Sequence, residues 1–66
     1  MVDYAPLWES LEARGIVPNH MVISGVINSA TLAKMRKGGG VHLSTIEKIC
    51  VAYDLPIENV VAIRKD

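Results

Sequence analysis

Phenylalanine is absent from this chain of 66 residues, tryptophan and cysteine occur once each, as Trp8 and Cys50, and tyrosine occurs twice. Without phenylalanine the core must be mainly aliphatic, with Trp8, Tyr4 and Tyr53 as core or core-edge residues. A lone cysteine excludes an intrachain disulfide, and a reducing cytoplasm is the expected home. Cys50 stands between Ile49 and Val51, so it reads as core and not as a nucleophile. No apolar run approaches the roughly 20 residues that a membrane helix requires, and no basic stretch followed by an apolar segment opens the chain. Half of the residues are nevertheless hydrophobic. That proportion points to one folded domain across residues 1–66, with neither disorder nor room for a second catalytic domain.

Acidic residues are missing from a long stretch. From Ala13 to Ile46 there is no Asp or Glu, while Arg14, Lys34, Arg36 and Lys37 are cationic and His20 and His42 stand nearby. The remainder carries all seven acids against Lys48, Arg64 and Lys65. The zero net charge thus conceals a cationic half and an anionic half, the polarity expected when one surface meets polyphosphate.

Within the acid-free stretch, Asn28 to Gly40 is written as a helix with a start, a body and a stop. Asn28 suits an N-cap and Gly38 suits the left-handed residue beyond a C-terminus. Leu32 and Met35 can share a core-facing side. The opposite side then carries Ser29, Ala30, Ala33, Lys34 and Lys37, which is small, polar and cationic. Nothing there obstructs approach to a groove: the lysines can meet phosphate, Asn28, Ser29 and Lys34 can reach base edges, and Ala30 and Ala33 offer methyl contact to thymine.

Around it, periodicity predicts four more helices. Pro6 and the Leu7–Leu11 spacing predict one from about Ala5 to Arg14, ended by Gly15. A short one follows Pro18, from Asn19 to Ser24, with Met21 and Val22 inward and a turn at Gly25 and Val26. The β-branched Val22, Ile23, Val26 and Ile27 would allow a strand, but no second run of alternating β-formers offers a partner. Val41 and Leu43 return the chain to the core. Ser44 with Glu47 forms a capping-box pattern ahead of Ile46, Ile49, Cys50 and Tyr53. Ile57, Val60 and Val61 predict a fifth helix, and Arg64, Lys65 and Asp66 a frayed tail. The expected fold is all-α, a compact five-helix bundle.

This order resembles the phage-repressor and Cro-type helix-turn-helix family, small five-helix members with a lambda-repressor-like domain. The resemblance rests on Leu7-Trp8 with Leu11, a short second helix ending near Gly25, Ile27 to Leu32 entering the third, Arg36-Lys37-Gly38 closing it, Ser44-Thr45-Ile46 with Ile49-Cys50, and Leu55 to Val60. Val22 and Val26 depart from it, standing where members often carry a small residue and a glycine. The resemblance implies a helix-turn-helix over about residues 18–37, with the third helix in the major groove of double-stranded DNA. Asn28, Ser29, Ala30, Ala33 and Lys34 fall on its base-contacting positions. Lys37 falls on a phosphate position, and Asn19 and His20 lie at the start of the second helix, where the backbone is met.

Arg36 can pack along the domain or reach a flanking phosphate. The backbone around Gly39 can approach a phosphate, as can His42 and Ser44 at the start of the fourth helix. The run Gly38 to Gly40 is no Walker loop, because its lysine precedes the glycines at a helix end. No metal site or cofactor is expected, since His20 and His42 lack further ligands, and no serine has a companion base. The reading is therefore a non-enzymatic, sequence-specific transcriptional regulator that acts as a homodimer, with Ile57, Val60, Val61 and Ile63 as the dimer surface. The alternative is a protein-interaction module of the same fold, antitoxin-like or polymerase-associated, with little DNA binding.

Overall fold

Asp3 and Pro6 together open the first helix, α1 (Ala5–Ala13). The Asp3 carboxylate accepts the Ala5 N–H at 2.9 Å, and Pro6 occupies the first turn, where no intrahelical donor is needed. Leu7 and Leu11, one turn apart, are completely buried. Two short helices follow, α2 (His20–Ile23) and α3 (Ser29–Arg36), and then a longer one, α4 (Leu43–Tyr53). The computed structural model describes residues 1–65.

The helices end by one device. After α2 the Val26 N–H reaches the Met21 carbonyl at 2.9 Å, and after α3 the Gly39 N–H reaches the Lys34 carbonyl at 2.9 Å. This closure requires a left-handed residue just before the donor, and Gly25 (φ 80°) and Gly38 (φ 77°) supply it without a Cβ penalty. After α4 the same position falls to Asp54 at φ 51°, one of the few side chains that tolerate it.

The segment expected to be a short helix is one despite its β-branched residues, of which Ile23 stays exposed. Met21 is fully buried, while Val22 and Val26 pack half-buried against a core that includes Met35, Ile49 and Val60. A fully buried aliphatic side chain such as Met21 contributes about 1.5–3 kcal/mol, and the half-buried valines contribute less. Among the described residues no polar or charged side chain is buried.

The C-terminal third departs from expectation. In place of a fifth helix there is a single 3-10 turn over Ile57–Asn59, after which the chain extends. Pro56 at φ −70°, ψ 157° sets the extended entry, and the β-branched run beyond it pairs with the N-terminus. Strands β1 (Val2–Asp3) and β2 (Ala62–Ile63) form an antiparallel ribbon, with Val2 opposite Ile63 and Asp3 opposite Ala62. The all-α class still describes the body, as four α-helices plus this ribbon.

Further corrections follow from the same geometry. Val60 is completely buried, so it cannot form a dimer surface, and Val61 is half-buried; only Ile57 and Ile63 of that group remain exposed. Arg64 is not frayed: its backbone exchanges hydrogen bonds with Met1 and its guanidinium pairs with the Asp3 carboxylate. Asp66, the last residue of that expected tail, lies outside the described residues. The capping box is not made either, because α4 begins at Leu43 with extended His42 before it, leaving Ser44 inside the first turn. Leu43 is correspondingly 72% exposed, and Val41 alone returns to the core.

The Asp3–Arg64 pair predicts an acid response. Hydrogen bonding from Arg64, then from the Ala5 N–H, lowers the Asp3 pKa below its usual 3.8. A carboxylate stabilised in the folded state contributes stability above its unfolded pKa and loses it as pH falls toward the depressed folded value. Thermal melts of Asp3→Asn and the unmodified chain should therefore differ at neutral pH and converge as pH drops below about 3.8. A constant difference down to pH 2 would remove Asp3 from the account.

Candidate nucleic-acid interface

The start of α3 is set by Asn28, extended at φ −96°, ψ 169°, whose side-chain oxygen accepts the Thr31 N–H at 2.7 Å. That bond satisfies an orphan donor of the first turn, and replacing such a cap typically costs ~1 kcal/mol. It also commits the amide oxygen, leaving the Asn28 NH2 group as the outward polar function. Leu32 and Met35 are buried, which fixes the rotation of the helix. Ser29, Ala30, Ala33, Lys34 and Lys37 are all exposed. Small residues occupy the N-terminal part of this face and lysines the C-terminal part, where cations complement the helix dipole. Among the described residues the only salt bridge joins Arg64 to Asp3, so no acid neutralises Lys34, Arg36 or Lys37.

Beyond α3, the glycine loop is tied down. The Tyr4 hydroxyl donates to the Gly39 carbonyl at 2.8 Å, and burial raises the Tyr4 pKa, which keeps that donor protonated. A side chain at Gly39 would place its Cβ 2.7 Å from Lys34 Cγ and 3.1 Å from the Lys34 carbonyl. The Lys34 stem thus lies across Gly39 and runs toward the C-terminal end of the helix. This corrects the expectation for Gly39: its N–H is taken by the Lys34 carbonyl, so it is not free to donate to a phosphate.

The other expected phosphate contacts fall in separate places. Asn19 precedes α2 with its side chain exposed and making no cap bond. His20 is exposed, but its ring turns toward α4, with Nδ1 2.9 Å from the Tyr53 hydroxyl and the two rings edge-on. Arg36 lies beside Trp8 and Pro18, with which it lines a hollow of about 240 Å3. His42 and Ser44 are exposed at the start of α4.

Sequence reading missed Thr31, Thr45 and Lys48. They join Asn28 and Ser29 around an open hollow of about 620 Å3 beside the start of α3, floored by Val22, Val26 and Ile27. Thr45 and Lys48 are three apart on α4 and so share a side, but only the common core, to which α3 gives Leu32 and Met35 and α4 gives Ile46 and Ile49, brings that side to the hollow beside Asn28.

A short helix, a left-handed glycine turn and a second helix with an exposed, acid-free face define a helix-turn-helix domain. The family model described as the Cro/C1-type HTH DNA-binding domain matches residues 6–66, and the chain belongs to that family. No curated protein and no solved structure gives a significant match. The expected resemblance is thereby met, and DNA is the partner this family of domains binds. Among the described residues no helix is long and apolar enough to cross a membrane.

Proposed function

We propose that this chain is a sequence-specific, double-stranded DNA-binding transcriptional regulator that inserts α3 into the major groove. The observation that carries the reading is the capped, small-residue, acid-free face of α3. Asn28 donates its amide to base acceptors while its oxygen holds the cap, and Ser29 reads a neighbouring edge. Ala30 and Ala33 contact thymine methyls, and Lys34 reaches a base acceptor toward the C-terminal end. Lys37 takes a phosphate, with Asn19, His20, Arg36, His42 and Ser44 as flanking backbone contacts. Gly39 serves instead by seating the Lys34 stem. The protein acts by binding and not by chemistry, from the cytoplasm.

One domain of this size reaches a half-site only. A homodimer on a two-fold operator, with half-sites about 34 Å apart, supplies the remaining affinity.

A salt titration on mixed-sequence and selected DNA tests the reading. Binding should weaken steeply with salt, and Lys37→Ala should weaken both DNAs alike and flatten the slope of log affinity against log salt by roughly one. Asn28→Ala should chiefly narrow the gap between selected and mixed DNA. Undetectable binding at low salt, or a flat slope, would favour the protein-interaction reading of the same fold.

A further inference from the structure

The hollow of about 620 Å3 beside the start of α3 has a rim of donors, with Ser29 and Thr31 from α3 and Thr45 and Lys48 from α4. No Asp or Glu lines it. Glu47, next to Lys48 in sequence, lines a separate hollow with Val51 and Ala52, so Lys48 stands on the ridge between the two. Lys48 is exposed and belongs to no salt bridge, since among the described residues the only one joins Asp3 and Arg64. The hydroxyls are also uncommitted. Ser10 and Ser24 turn theirs back onto carbonyls one turn earlier, Pro6 and His20, each at 2.8 Å, whereas among the described residues those of Thr31 and Thr45 have no partner. An ammonium and two hydroxyls left unpaired around one acid-free space are a donor set for an oxyanion.

We propose that Thr45 and Lys48 of α4, with Thr31, hold a phosphodiester group of the DNA strand whose bases α3 reads. The inference rests on the DNA-binding reading and extends the interface from α3 to α4. Position selects the occupant. The same hollow is lined by Asn28 and Ser29, so a duplex that presents base edges to those two carries its own backbone to the rim. There the Lys48 ammonium supplies a point charge on a flexible stem, and the threonine hydroxyls donate to the other phosphate oxygens. The floor of Val22, Val26 and Ile27 offers no side-chain acceptor to compete for those donors. Lys37 and Lys48 then grip the backbone from different helices, which fixes the register at which α3 enters the groove.

Binding of the whole chain to selected duplexes, each with one phosphate replaced in turn by a neutral methylphosphonate, tests the contact. Lys48→Ala should weaken selected and mixed DNA alike, at least about threefold near 0.1 M salt, and flatten the log–log salt slope by about one. Thr45→Val should weaken binding about threefold with the slope unchanged. One phosphate at which methylphosphonate weakens the unmodified protein should lose that effect in Lys48→Ala, and a different one in Lys37→Ala. Lys65→Ala, which removes an equal charge beyond β2, should leave the slope and the phosphate pattern intact. A Lys48→Ala chain with unchanged slope and pattern overturns the α4 contact and leaves the α3 reading standing. Loss of all DNA binding by the unmodified chain overturns both. Inorganic phosphate, exchanged for chloride at constant ionic strength without DNA, should shift the Thr45 and Lys48 amide resonances only at about millimolar levels or above. Saturation at low micromolar phosphate would assign the hollow to a free anion and overturn the DNA contact.

Discussion

Ala33→Glu is expected to weaken binding to specific DNA at least about a hundredfold while the domain stays folded. Ala33 is exposed on the outward face of α3, between the small residues that begin it and the lysines that end it. A glutamate there puts a negative charge against the phosphates and adds bulk where the face is flat. It also stands four residues before Lys37, the spacing at which a helical ion pair forms, so it draws that cation away from the backbone. Losing one phosphate contact and gaining one repulsion amounts to about 2.7 kcal/mol at a hundredfold. The fold should be indifferent, because glutamate is a good helix former and no core contact is touched. Fluorescence anisotropy with a labelled duplex gives the affinity, and a thermal melt gives the control. Binding within a factor of about two of the unmodified protein would mean that DNA does not meet this face.

Leu11→Ala has the largest expected effect on stability. Leu11 is fully buried, and truncating a buried leucine costs about 2–5 kcal/mol through lost transfer energy and the cavity left behind. A chain of 66 residues has roughly 3–10 kcal/mol of total stability at typical values per residue. The substitution therefore removes a large fraction of the whole, and a urea titration at 25 °C should show a substantially lower midpoint, with part of the population unfolded before denaturant is added. A loss below about 1 kcal/mol would show that the core collapses around the gap, contrary to its close packing.

What could be read in advance was what lies close together in sequence. The cap at Asn28, the Leu32–Met35 stripe and the stop at Gly38 fall within eleven residues, and all three hold in the structure. Errors arose where a local pattern has two solutions. Ile57 and Val60 are spaced as in an α-helix, but a spacing of three equally suits one 3-10 turn, and only the pairing of residues 62–63 with 2–3 decides against a helix. Ser44 and Glu47 match a capping box, yet the box forms only if the serine is extended, and in the structure the extended residue is His42. Two-residue strands are too short to carry a period, so the ribbon was invisible. The Thr31–Thr45–Lys48 cluster was invisible for another reason: its members come from two helices whose rotation about each other depends on the whole core.

Under tension the ribbon has a different significance. Because β1 and β2 run antiparallel, Met1 lies against Arg64, and a pull applied at the two ends acts across the hydrogen bonds and not along the strands. Such loading opens bonds one after another, beginning with the Met1–Arg64 pair. The helices, which meet the load only after the ribbon has opened, should remain folded through the first extension in an optical trap. Pulled in this way, the ribbon should yield before the surface formed by α3 is disturbed.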